Sequence, residues 1–134
     1  KTSGGKYIAP QLIENRLKQS FFIEQVMVIG DGEKMPGAFI QPNFDFVREW
    51  AKRHHVDLTE SNDELVKNPK VIERFQEEVN EANEKFGNWE KIKRFELTPD
   101  VWSIDGGHLT PTMKLKRKIV KEKYQHLYDK IYKE

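Results

Sequence analysis

The chain has no cysteine among its 134 residues. That excludes a disulfide framework and a thiolate zinc site, and it suits a reducing compartment. Long apolar runs are missing as well. No uninterrupted stretch approaches the roughly 20 residues a membrane helix needs, and no signal peptide opens the chain. The expectation from these absences is a soluble, cytoplasmic protein. There is no initiator methionine before Lys1-Thr2-Ser3-Gly4-Gly5, from which an excised piece of something longer is expected. Repeats, low-complexity tracts and an internal domain boundary are also lacking. The length therefore fits one domain, able to bury a core without metals or cross-links.

Charge of one sign is nearly cancelled, with 23 Lys and Arg against 22 Asp and Glu, but the two signs are segregated. Residues 57–90 hold ten acids and four bases, a net of −6, whereas residues 114–134 hold eight bases and three acids, a net of +5. A positive field at one end can draw in a polyanionic ligand. A solvated lysine face is the plainer alternative.

The pattern of elements is α+β. Gly4-Gly5 suits a tight turn between residues 1–3 and 6–8, giving a small hairpin. Pro10 opens a helix to about Gln19, with Leu12, Ile13 and Leu17 on one side. Residues 23–30 and 37–42 are β-rich and flank the turn-forming Asp31-Gly32-Glu33-Lys34, so they read as an antiparallel hairpin. Asn43 is placed to cap a helix carrying Val47, Trp50 and Ala51, and Ser61-Asn62-Asp63-Glu64 reads as a capping box. Asn68-Pro69 starts a long helix whose Val71, Ile72, Phe75, Val79, Ala82 and Phe86 form an apolar stripe. A strand over 91–97 and one terminal amphipathic helix bearing Val120, Tyr124, Leu127 and Ile131 complete the reading.

Two stretches carry chemistry. Lys1-Thr2-Ser3-Gly4-Gly5-Lys6 and Leu109-Thr110-Pro111-Thr112-Met113-Lys114 each join flexible or turn-forming residues to lysine, a means of bringing charge and bare amides to a phosphorylated ligand. The second runs into Leu115-Lys116-Arg117-Lys118. Four bases at a helix N-terminus oppose its dipole, so either an anion arrives there or the first of them lie on an extended segment. His108 sits in the same glycine-containing loop, where it could approach a nucleotide. His54-His55 is a poor metal pair, because adjacent helix residues face different ways and no further ligand lies near in sequence. Trp50, Trp89 and Trp102 read as packing residues.

Thr110-Pro111-Thr112-Met113-Lys114-Leu115-Lys116-Arg117 resembles the closing motif of the adenylate-forming enzymes, in the version of the long-chain fatty acyl-CoA synthetases. Many relatives place glycine just before the lysine, where Met113 stands here. The opening is similar to the family's motif after the hinge between its large and small domains. It ends in Pro10-Gln11-Leu12-Ile13-Glu14, against a pattern of Pro-x-Glu-[Ile/Leu/Val]-Glu; Leu12 departs and Glu14 matches.

The resemblance implies the C-terminal lid domain of a long-chain fatty acid–CoA ligase: a small antiparallel sheet with flanking helices plus an N-terminal β-hairpin. It implies Lys114 as the adenylation lysine, and Ser3, Gly4, Gly5 and Lys6 as a patch beside the coenzyme A thiol arm. ATP, Mg2+ and coenzyme A follow as cofactors, with the metal and most of the ATP held by a large N-terminal adenylation domain of the same polypeptide. Fatty acid is the remaining substrate, no metal site is expected in this chain, and the isolated piece is expected to be inactive. Peripheral membrane association of the whole enzyme is an option. The rival reading is a phosphate- or nucleic-acid-binding module using the basic C-terminal segment.

Overall fold

Every residue of one strand, Gly37–Pro42, is buried, and the rest of the domain is arranged around it. The computed structural model describes residues 4–58 and 61–133. The buried strand is β2. On one side it pairs antiparallel with β1 (Ile23–Ile29), in the register Val26 opposite Ile40 and Val28 opposite Ala38. On the other side it pairs parallel with β3 (Arg94–Leu97), Gly37 opposite Arg94 and Ile40 opposite Leu97. The three-stranded sheet is therefore mixed, where a wholly antiparallel one was expected. Parallel neighbours cannot be joined by a hairpin and need a long crossover; residues 43–93 supply it.

That crossover contains α2 (Phe44–Arg53), α3 (Asn62–Leu65) and α4 (Pro69–Asn83). Each starts at the cap its sequence offers. The Asn43 side chain accepts from the Phe46 N–H at 3.2 Å and that of Asn68 from the Lys70 N–H at 2.9 Å, with Ser61 in the same role for α3. Helix α1 (Pro10–Leu17) precedes β1, while α5 (Arg117–Lys123) and α6 (Gln125–Tyr132) close the chain.

Side-chain alternation along the strands divides the interior in two. Val26, Val28, Ala38 and Ile40 join Ile13, Leu17, Phe75 and Val79 beneath α1 to α4. Met27, Ile29 and Phe39 face the opposite way and join Trp102, Val120, Tyr124 and Ile131 beneath α5 and α6. Both faces of the sheet are covered, which is why its sequence shows no polar alternation.

The structure departs from the sequence reading in a few places. Helix α4 ends at Asn83, short of Phe86, and the Asn83 amide instead brackets the backbone of Ile92, donating to its carbonyl and accepting from its N–H, both at 2.9 Å. Ile92 is held that way ahead of β3, which starts at Arg94 and not at Lys91. The expected single terminal helix is broken at Tyr124, whose φ of −111° and ψ of 30° leave the helical region. Residues 114–116 precede α5 in extended form. The expected N-terminal hairpin has its first arm in residues 1–3, outside the described residues, and residues 6–8 join no strand.

Candidate functional site

Lys114 stands at the end of a short hairpin between β3 and α5. Leu109 bridges Leu115 antiparallel, and beyond that bridge the Thr110 N–H donates to the Lys114 carbonyl at 2.8 Å. The tip closes with the Met113 N–H on the Thr110 carbonyl at 2.8 Å, Pro111 following Thr110 in the turn. Met113 has φ +66°. This is the layout of three-residue hairpin loops, whose closing residue is left-handed. Glycine is relaxed in that conformation and methionine is strained. The Thr110 hydroxyl accepts from the Lys114 N–H at 3.1 Å and contacts the Thr112 hydroxyl at 3.1 Å. Lys114 itself is exposed, and among the described residues no carboxylate pairs with its ammonium. A cation on an ordered, solvent-facing tip is positioned to meet an incoming anion.

The other end of the hairpin is anchored. The Lys116 N–H donates to the His108 carbonyl at 2.8 Å. His108 is only 3% exposed and so does not approach a nucleotide from a free loop. Its ring lies parallel to Trp102 at 5.7 Å between centroids and within 6.0 Å of the Tyr124 ring. Its Nδ1 accepts from the Ser103 N–H at 3.2 Å, and its Nε2 meets the Tyr124 hydroxyl at 3.1 Å. That hydroxyl donates to Asp100 at 2.8 Å. Burial, helped by the positive charge of Lys123, pulls the imidazole pKa below its ordinary 6.5, although Asp100 acts the other way. Burial and Asp100 together push the Tyr124 hydroxyl far up.

At the basic helix start one base is paired within the chain. Arg117, the first residue of α5, makes two parallel hydrogen bonds to Glu14 of α1, at 2.7 and 2.8 Å. Glu14 is 4% exposed and also accepts from the Val28 N–H at 2.7 Å. The hydrogen bond to Glu14 holds the Arg117 guanidinium protonated more firmly still, against the opposing effect of burial. Of the two alternatives for the lysine run, the structure shows the second, since Lys114 and Lys116 precede the helix, which begins at Arg117. The sequence carried a signal for the pair of Glu14 and Arg117 that the motif reading did not use. Glu14 lies between Ile13 and Leu17 on the inward stripe of α1, where a carboxylate needs a cation or backbone donors.

Of the glycine patch, Ser3 lies outside the described residues. Gly4, Gly5 and Lys6 are exposed, and Gly5 has φ +83° with open space where a Cβ would stand. The Lys6 ammonium sits 5.5 Å from the centre of the half-exposed Trp89 ring. Trp102 belongs to the core beneath α5 and α6, and Trp50 packs against the core beneath α1 to α4, in line with the packing roles read from the sequence. The patch and Lys114 occupy separate loops, each leading into one of the two helices that Glu14 and Arg117 join. A cavity of about 370 Å³ opens beside that joint, floored by Ile8, Pro10 and Val28 and edged by Arg117 and Lys118. Among the described residues no group of three or more His, Asp or Glu is arranged to hold a metal ion. No helix among them is long and apolar enough to cross a membrane.

Comparison with known proteins supports the same assignment. The family model described as AMP-binding enzyme C-terminal domain matches residues 2–134. The chain is 34% identical over 131 residues to long-chain-fatty-acid–CoA ligase FadD15 of Mycobacterium tuberculosis, covering 98% of this chain and 22% of the ligase. It is 32% identical over 135 residues to human long-chain-fatty-acid–CoA ligase 1, covering 98% of this chain and 19% of that protein. The chain thus spans about a fifth of the length of these curated relatives. Its fold matches the A-PCP didomain of a carboxylic acid reductase from Segniliparus rugosus in complex with AMP, with a TM-score of 0.74 at 19% identity, over 96% of this chain and 16% of that one. A lysine hairpin, a glycine patch and a carboxylate joint on an α+β scaffold, together with these matches, establish that the chain belongs to the family of AMP-binding enzyme C-terminal domains.

Proposed function

We propose that this domain serves an ATP-dependent long-chain fatty acid–CoA ligase, in which Lys114 acts in adenylate formation and residues 3–6 border the path of the coenzyme A thiol arm. In the first half-reaction a carboxylate oxygen attacks the α-phosphorus of ATP, a new P–O bond forms, and pyrophosphate leaves with the electrons of the broken one. An anion approaches an anion there. A lysine that hydrogen-bonds both the carboxylate and the phosphate oxygens lowers that repulsion and stabilises the charge that builds up. In the second half-reaction the thiol sulfur attacks the acyl carbonyl and AMP departs. The glycine patch leaves room for that arm, while Lys114 is withdrawn as the domain turns. Magnesium, the main ATP cradle and the acyl pocket would belong to a larger N-terminal adenylation domain, so this chain alone would release no pyrophosphate from ATP, fatty acid and coenzyme A.

The observation that carries this reading is the exposed ammonium of Lys114, without a carboxylate partner among the described residues, on a hairpin closed by backbone hydrogen bonds. It is tested in the full-length enzyme. Lys114→Ala is expected to slow adenylate formation about a hundredfold to a thousandfold, while sparing thioester formation from a supplied acyl-adenylate. A bulky residue at Gly5 is expected to do the reverse. Equal loss in both half-reactions for either variant would overturn the division of labour. Tight, salt-dependent retention of a short oligonucleotide would favour the rival module instead.

A further inference from the structure

The Lys114 hairpin is tied at its tip by its own backbone, but nothing in its sequence fixes where it points; that is decided at its root. The root is His108, whose carbonyl receives the Lys116 N–H and whose N–H donates to the Ser103 carbonyl at 3.0 Å. The ring is held by packing and by two hydrogen bonds. It lies beside Trp102 and Tyr124, the three ring centroids 5.7 to 6.2 Å from one another, while Ser103 donates to Nδ1 and the Tyr124 hydroxyl meets Nε2. A Cβ at Gly106 would lie 2.9 Å from Nδ1, so the loop closes over the ring only with glycine there. The donor pattern has one consistent polarity. Nδ1 accepts, so the neutral ring carries its proton on Nε2 and donates it to the Tyr124 hydroxyl, which in turn donates to Asp100. A second ring proton would set Nδ1–H against the Ser103 N–H.

We propose that His108 is a positioning residue for Lys114: its neutral ring, packed beside Trp102 and hydrogen-bonded to Ser103 and Tyr124, fixes the root of the hairpin, and its protonation or removal loosens that hairpin and slows the step Lys114 serves. This rests on the reading of Lys114 as the adenylation lysine. The charged and titratable groups facing the ring are Asp100 from the loop after β3, Tyr124 at the junction of α5 and α6, and Lys123 from α5. Of these, Lys123 opposes a charged imidazole and Asp100 favours one.

The test uses the full-length enzyme, with Lys114→Ala as reference, and reads three quantities. These are the two half-reaction rates and hydrogen exchange of the peptide covering residues 108–116. His108→Phe keeps the stack but neither hydrogen bond of the ring. It is expected to slow adenylate formation at least tenfold, to leave thioester formation from supplied acyl-adenylate within twofold, and to speed exchange of the hairpin amides. His108→Gln can keep a donor toward Tyr124 and cannot be protonated. It is expected to restore most of the rate and to abolish the acceleration of hairpin exchange, relative to the intrinsic rate, that is expected of the parent enzyme as the pH falls below 6.5. Equal loss in both half-reactions, unchanged exchange in His108→Phe, or an acid response that persists in His108→Gln each overturn the proposal. If His108→Phe does not fold, the acid response of His108→Gln decides alone. If Lys114→Ala leaves adenylation intact, the functional reading fails, while the exchange data still rule on whether His108 holds the hairpin.

Discussion

Glu14 and Arg117 sit 103 positions apart in the chain and meet through two short hydrogen bonds. Only one of the two is sheltered. The Glu14 side chain is 6% exposed and that of Arg117 is 43% exposed. Removing either partner therefore has unequal consequences. Arg117→Ala leaves a buried carboxylate with the Val28 N–H as its remaining donor, and is expected to cost about 3 kcal/mol, read as a lower urea midpoint. Glu14→Gln leaves a guanidinium that water can reach, and is expected to cost less. The reverse order would mean that the arginine, not the acid, carries the desolvation penalty. Glu14 could be placed on the inner stripe of α1 from its neighbours, but its partner could not be named, because nothing in a linear pattern brings residue 117 to residue 14. His108 was hidden differently. Beside Gly106 and Gly107 it has the neighbours of a solvent loop, and only the tertiary stack of Trp102 and Tyr124 turns it inward.

The helix caps at Asn43, Ser61 and Asn68 were legible because a capping side chain acts within three residues of itself. The Lys114 hairpin was not. Its left-handed position is filled by methionine where glycine or asparagine would have announced a turn, and Leu115 continues what passes for a helical stripe. The strained residue offers a direct check on the loop. Met113→Ile puts a β-branched side chain at φ +66° and is expected to destabilise the domain by about 1 to 2 kcal/mol. Met113→Gly should be close to neutral, because the relief of strain is offset by the greater freedom of glycine in the unfolded chain. Thermal melts of the two variants compare these directly, and equal melting points would mean that the turn is not left-handed in solution.

The α+β class and the β1–β2 pairing followed from β-rich runs and turn residues over short distances. The parallel β3 did not, since the 51 residues between β2 and β3 say nothing of the side on which the chain returns. Three tyrosines then fasten the ends of this scaffold together. Tyr128 donates to Glu33 and Tyr132 to the Met35 carbonyl at 2.9 Å, while Tyr124 donates to Asp100. Burial, followed by the nearby Glu33 carboxylate, pushes the Tyr128 hydroxyl up to about 12 from its ordinary 10. A phenol whose pKa is raised by folding contributes stability that is present below pH 10 and lost as the pH climbs toward 12, because the unfolded chain ionises first. The urea midpoint is expected to fall through that interval, and more gently in Tyr128→Phe than in the parent chain. Parallel slopes would argue that this hydroxyl is not tied in solution.

The joint between α1 and α5 also determines how such domains can be exchanged. A junction placed after Leu17 would look harmless, since it falls in a turn before β1 and breaks no strand pairing. It would nevertheless hand a foreign α1 to a resident Arg117, leaving Ile13, Glu14 and Leu17 to be re-matched against a core they did not evolve with. Hybrid enzymes built from members of this family should therefore take the donor's segment from before Pro10, so that acid and arginine travel as one cassette.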